Sequence, residues 1–212
     1  MSITQLLTLT LPPTTPNSTL LTLKQSKPPQ NYSLGTHIHP PTTLQLTSSH
    51  PDINAATSSL TPTTPYLSTI FSTLGQPQKT HHVAFSNGTP NFSEKGAMAS
   101  PLVEFVKVLF PVARATPEFR RGIERDFRVF DEKCVAVARG NGGVAFGWGV
   151  DEEEADEGEI EGGKAVGFFV VRGWERMGCF EELVATDEFK GAIEGLKAWE
   201  VPMEMWFVER EG

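Results

Sequence analysis

The stretch that decides the fold is 164-KAVGFFVVRGWERMGCFEELVATDEFKGAIEGL-196. Val166, Phe168 and Val170 point one way along an extended chain, and Phe169 and Val171 the other, so this is a strand with two apolar faces. Gly173-Trp174-Glu175 ends the strand. Met177, Phe180, Leu183 and Val184 then recur at helical spacing, and Phe189, Ile193 and Leu196 continue after a break at Thr186. A strand that is apolar on both faces belongs to a sheet covered on both sides.

The neighbouring segments extend this unit. Leu102 to Phe110 (LVEFVKVLF) reads as a strand. Thr116-Pro117 follows as a helix start, with Thr at the N-cap and Pro at N1. Phe119, Ile123, Phe127, Phe130 and Cys134 then form one apolar stripe. Asn141 to Val150 (NGGVAFGWGV) is a second strand. The acidic run 151-DEEEADEGEIE-161 reads as a solvated hairpin loop, since it lacks the alternating ligands and turn glycine of a calcium loop. After Pro202 a last strand, Met203 to Glu209, alternates. The order is β-α-β-β-α-β.

The first half repeats this order. Ile3, Leu7, Leu9 and Leu11 mark a strand, and Pro16 to Lys27 a short helix. Tyr32 to His39 and Thr42 to Ser48 are expected as strands around Pro40-Pro41. Thr64-Pro65 opens a helix with Leu67, Ile70, Phe71 and Leu74 on one stripe, ending at Gly75. Thr80 to Ser86 closes the set. The expected fold is therefore α+β: two tandem ferredoxin-like repeats, 1–96 and 97–212, packed sheet to sheet as an intramolecular α+β barrel.

Composition narrows the function. The chain has 212 residues and a net charge of −8, which disfavours nucleic acid as a partner. Residues 1–100 carry four lysines against two acids, so the remainder holds −10 of the charge. No apolar run approaches the roughly 20 residues that span a bilayer. The opening residues form no basic n-region, so a cytoplasmic protein without a membrane partner is expected. Two cysteines, Cys134 and Cys179, are too few for a disulfide framework and are expected as buried free thiols.

The strand Val166 to Val171, the Gly173-Trp174-Glu175 turn, Phe180, the Thr186-Asp187-Glu188-Phe189 break and the Pro101-Leu102-Val103-Glu104 opening of the second half resemble the antibiotic-biosynthesis-monooxygenase-like group. That group lies in the dimeric α+β barrel superfamily, and the tandem pattern is similar to its fungal two-repeat members. The resemblance implies ligand pockets between sheet and helices. It also implies activities that include cofactor-independent oxygenation of aromatic polyketides, haem degradation, cyclisation and isomerisation. Phe180 stands where many relatives carry a histidine, and the first half has Ser48 or Ser49 in place of the tryptophan.

All five histidines fall in the first half: His37, His39, His50, His81 and His82. His37 and His39, two apart on a strand, share a face and could serve as metal ligands, as a base or hydrogen-bond donor, or as ordinary surface residues. A zinc site would need a third ligand nearby, and no metal is expected. His81 is a further candidate base. Trp174 and Trp148 are candidate ligand contacts or core residues, with Gly147 and Gly149 leaving space beside Trp148. Three functions compete. The first is a monooxygenase acting on an aromatic small molecule with no cofactor, and the second a non-catalytic binder of a hydrophobic molecule. The third is a structural barrel with filled pockets. The particle is expected as a monomer with an internal pseudo-dimer, or as a homodimer.

Overall fold

The computed structural model describes residues 2–12, 23, 28–61, 65–86, 92, 96–156 and 158–211. Among the described residues are eight strands: β1 (Ile3–Thr10), β2 (Tyr32–His37), β3 (Thr43–His50), β4 (Lys79–Phe85), β5 (Leu102–Pro111), β6 (Asn141–Glu154), β7 (Lys164–Trp174) and β8 (Met203–Arg210). The helices are α1 (Ile53–Ser58), α2 (Pro65–Leu74), α3 (Pro117–Phe130), α4 (Met177–Val184) and α5 (Asp187–Lys197), with a π-turn at Asp131–Val135. Three helix starts have a side-chain cap. Asp52 caps α1 by accepting from the Ala55 amide, Thr116 caps α3 with Pro117 behind it, and Thr186 caps α5. The Thr186 hydroxyl thus divides α4 from α5.

The strands close into one antiparallel barrel in the order β1-β3-β2-β8-β5-β7-β6-β4. Within it the first half contributes β4-β1-β3-β2 and the second β8-β5-β7-β6. Two seams join them. Gly35, Thr36 and His37 of β2 pair with Arg210, Glu209 and Val208 of β8. Val83, Ala84 and Phe85 of β4 pair with Gly149, Trp148 and Gly147 of β6. A glycine sits in each seam for a steric reason. A Cβ on Gly35 would lie 2.3 Å from the Val208 side chain, and one on Gly147 2.2 Å from the Ala84 carbonyl oxygen.

Strand alternation sorts the core into three layers. The barrel interior holds Leu6, Val83, Val103, Phe105, Phe169, Val171 and Val208. Outside the first half, Leu7, Leu9, Leu34, Leu44 and Leu46 pack against Leu67, Ile70, Phe71 and Leu74 of α2. Outside the second half, Phe110, Phe146, Phe168, Val170 and Trp174 face Ile123, Phe127 and Phe130 of α3 and Leu183 of α4. Both sheet faces are covered within one chain, as the two-sided apolar strands require. Among the described residues no helix is long and apolar enough to cross a membrane.

Several expectations need correction. β6 runs through Glu154, so the acidic segment begins inside the sheet and only residues 155–163 make the connection. A register shift between Trp148 and Glu152 re-aims the strand there, which is the usual effect of a bulge. β2 stops at His37, ahead of Pro40 and Pro41. The short helix α1 was not foreseen, because its residues INAATS show little apolar periodicity. The helix expected at Pro16 to Lys27 and the Thr64 cap lie outside the described residues, apart from buried Leu23.

Candidate functional site

In the second half the helices stand off from the sheet and leave a cavity of about 530 Å³. Its sheet wall is Val106, Val108, Phe168, Val170, Met203 and Met205, and its helix wall includes Phe127, Phe130, Phe180, Leu183, Phe189 and Ile193. None of the α5 residues is fully buried, so this helix covers the cavity without sealing it. Met203 and Met205 are 63% and 49% exposed and stand at the open side. The volume lies in the range of ordinary small-molecule sites, which are apolar with few polar groups.

The polar groups collect at one end. Glu104 of β5 is paired across the sheet with Arg172 of β7, and both line the cavity with Trp174. The Trp174 indole N–H donates to Glu104 Oε2 at 2.8 Å. Burial pushes the Glu104 carboxyl above its ordinary value, and the Trp174 hydrogen bond and the Arg172 charge pull against that shift without cancelling it. Arg172, itself 3% exposed, donates from Nη1 to Asn141 Oδ1 at 3.1 Å and from Nη2 to Asp131 Oδ1. Such a carboxyl can donate a hydrogen bond when protonated and accept a proton when not. Glu104, Arg172 and Asp131 were not singled out in the sequence. For Glu104 and Arg172 the signal is a charged residue in a largely apolar strand, visible in LVEFVKVLF and FFVVRGW; Asp131, at the end of α3, carries no such signal.

The structure distributes the expected site residues over several places. Trp174 is fully buried at the cavity end. Trp148 is buried under α3, where its indole N–H donates to Glu124 Oε1 at 2.9 Å and Arg120 lies over its ring. The space beside it is taken: Gly147 admits the β4 backbone and Gly149 the Phe169 ring. His37 points into the barrel, stacked on Trp206, with its Nε2 buried and without a hydrogen-bond partner. Burial lowers its pKa, against a hydrogen bond with Gln45. His39 is exposed beyond the end of β2, so the pair on one strand face does not form. Among the described residues no group of three or more His, Cys, Asp or Glu is placed to hold a metal ion. Both cysteines are buried and free.

His81 lines a second hollow of about 460 Å³, where β4 and β6 part below their seam. It lies 3.4 Å from Glu153 and beside the Phe169 ring. Lys107, 3% exposed, donates to Glu153 at 2.9 Å. Burial would raise the Glu153 carboxyl, but the hydrogen bonds and charges of His81 and Lys107 outweigh it and hold it at about 2. On the other face of β4, His82 Nδ1 meets Asp151 at 2.7 Å and its Nε2 lies 3.1 Å from the Gln5 amide nitrogen. These groups are paired with one another and build the joint between the halves.

The strand pairings of the first half run in a register that matches those at the cavity end. Ile3 pairs with His50 as Leu102 pairs with Trp174, and Thr4 with Val83 as Val103 with Val208. By this register His50, not Ser48 or Ser49, stands in the tryptophan's place, with Gln5 for Glu104 and Ser48 for Arg172. Ser48 Oγ and His50 Nε2 are hydrogen-bonded at 2.8 Å, and Gln5 is bonded to Ala56 and Ser59 of the α1 segment. The polar groups here satisfy each other.

No protein-family model matches the sequence, and no curated protein matches it. Solved structures do match in fold. A proposed monooxygenase of Lactobacillus acidophilus aligns over 100% of this chain and 94% of its own, at 10% identity and a TM-score of 0.56. A proposed monooxygenase of Fusobacterium nucleatum aligns over 100% and 93%, at 11% identity and 0.57. An anthrone oxidase-like protein aligns over 99% and 91%, at 11% identity and 0.57. The chain therefore has the fold of the monooxygenase-like α+β barrel proteins. At such identity the likeness is one of architecture, and function has to be argued from the site.

Proposed function

We propose that the protein binds a flat, largely apolar small molecule in the cavity of residues 97–212 and acts on it as a cofactor-independent monooxygenase. The observation that carries this reading is Glu104, a carboxyl raised by burial and oriented by Trp174, at the end of an apolar cavity of about 530 Å³. In this reading an aromatic substrate with an acidic C–H or O–H lies between Val170 and Phe189, its polar edge at Glu104. Glu104 as carboxylate takes the proton, and the electron-rich anion reacts with dioxygen. One oxygen atom enters the substrate, the other leaves as water, and the substrate supplies all the electrons. The apolar walls exclude bulk water from the anion. Anthrone oxidase-like and monooxygenase-like neighbours support the choice of chemistry. On this reading the halves are tandem ferredoxin-like repeats of the antibiotic-biosynthesis-monooxygenase-like kind, and one chain completes the barrel.

A second reading has an observation of its own. The cavity lining holds no histidine, and its titratable groups are Glu104, Arg172, Lys197 and Glu200, which suits a carrier as well as an enzyme. Oxygen uptake separates the two. With a panel of hydroxylated tricyclic aromatics, the enzyme reading expects dioxygen consumption in step with product. Glu104→Gln should lower the rate by about 100-fold or more while the ligand still quenches Trp fluorescence. Saturable quenching with no oxygen uptake would leave the carrier reading standing. No binding by any member of the panel would remove both.

A further inference from the structure

Glu104 and Arg172 are direct cross-strand neighbours on the same face of the sheet. An arginine beside a buried carboxylate normally closes onto it as a bidentate ion pair. Here the two are not ion-paired. The guanidinium Nη2 is taken by Asp131 and its Nη1 by Asn141. Both holders are fixed by the backbone around them. Asp131 opens the π-turn at the end of α3, closed by the Ala136 amide donating to the Asp131 carbonyl at 2.8 Å. π-turns of this kind often mark functional positions. Asn141 is anchored from two sides: its amide donates to the Ala136 carbonyl at 3.2 Å, and its Oδ1 also accepts from the Gly143 amide at 3.1 Å.

We propose that Asp131 and Asn141 are positioning residues that hold the Arg172 guanidinium off Glu104 and so keep the carboxyl at the cavity end available to a ligand. The functional meaning rests on the reading of Glu104 as the proton-handling group. Without the clamp, Arg172 would satisfy itself on Glu104, fix it as a carboxylate and remove both its donor and its acceptor roles. With the clamp, Arg172 acts on Glu104 through space while Asp131 balances its charge. The other polar or titratable groups around this end are the Trp174 indole on β7, Lys133 and Cys134 on the π-turn, and Lys197 and Glu200 at the far rim of the cavity.

The test follows the titration of Glu104 itself, with no ligand present. In protein labelled with ¹³C at the glutamate carboxyl carbons, the Glu104 signal is the one missing from Glu104→Gln. Asp131→Asn releases the guanidinium and should lower the proton affinity of Glu104 by about tenfold or more. That variant also removes a charge, so Asn141→Ala is the deciding one. It is charge-neutral, and the clamp requires a downward shift there too, abolished when Arg172→Gln is added. An unchanged or upward-shifted Glu104 in Asn141→Ala would overturn the proposal, and that comparison decides even if Asp131→Asn does not fold. Because the titration needs neither substrate nor dioxygen, its failure is distinct from a failure of the oxygen-uptake experiment.

Discussion

Glu104 is a carboxylic acid set among Leu, Val and Phe, and that setting links its protonation to the stability of the whole molecule. Its folded pKa lies above the ordinary 4.5, so the folded state holds the proton more tightly than the unfolded chain. The stabilising contribution is fully present below the unfolded value and is lost as pH rises through the folded one. Glu104→Gln removes this dependence. In urea unfolding measured from pH 4 to pH 8, wild type should lose stability across the Glu104 titration while the variant stays level in that respect and gains on it. Parallel profiles would contradict the raised carboxyl. At this scale Trp174 is legible as the residue that ends β7, and the structure places it against the cavity. Of the two readings open for Trp148 the structure shows core packing, and Gly147 beside it is room for a neighbouring strand. Glu104 and Arg172 escaped notice because a one-dimensional reading treats an isolated charge in a strand as solvent-facing. Only the cover of α3 to α5 shows that face to be interior.

The elements of the second half were readable almost to the residue, since Thr116-Pro117 and Thr186 are punctuation that the backbone obeys. The acidic segment was not, because its first residues find partners across the sheet in Lys107, His81 and His82, and pairing of that kind is invisible in local composition. The seam between β4 and β6 gives the sharpest prediction for an element. Any side chain at Gly147 meets backbone, which cannot swing aside. Gly147→Val should destabilise the protein by about 2 kcal/mol or more. The same substitution at Gly195, where a Cβ meets nothing within 4 Å, should leave stability level or raise it slightly, by no more than about 0.5 kcal/mol, because valine is the better helix former of the two. Equal midpoints in denaturant for the two variants would show that the seam tolerates separation.

Whole-molecule architecture makes each half incomplete. Residues 101–212 carry β5 to β8, whose inner face presents Val103, Phe105, Phe169, Val171 and Val208 to whatever lies opposite. Expressed alone, this segment should form a dimer in which a second copy takes the place of the first half. Light scattering after size-exclusion chromatography would show twice the segment mass, whereas a stable monodisperse monomer would contradict the architecture. Closure of the barrel has one more consequence, for encounters with other chains. Every strand in the ring has a neighbour on both sides, so among the described residues unpaired amides and carbonyls are confined to the stretches that run past the two seams, each three residue pairs long. Strand addition is the usual route by which exposed sheets aggregate or exchange segments. Here closure limits it to the short stretches where the seams part, and where β4 and β6 part the gap is lined by Lys79 and the acids Asp151 to Glu154.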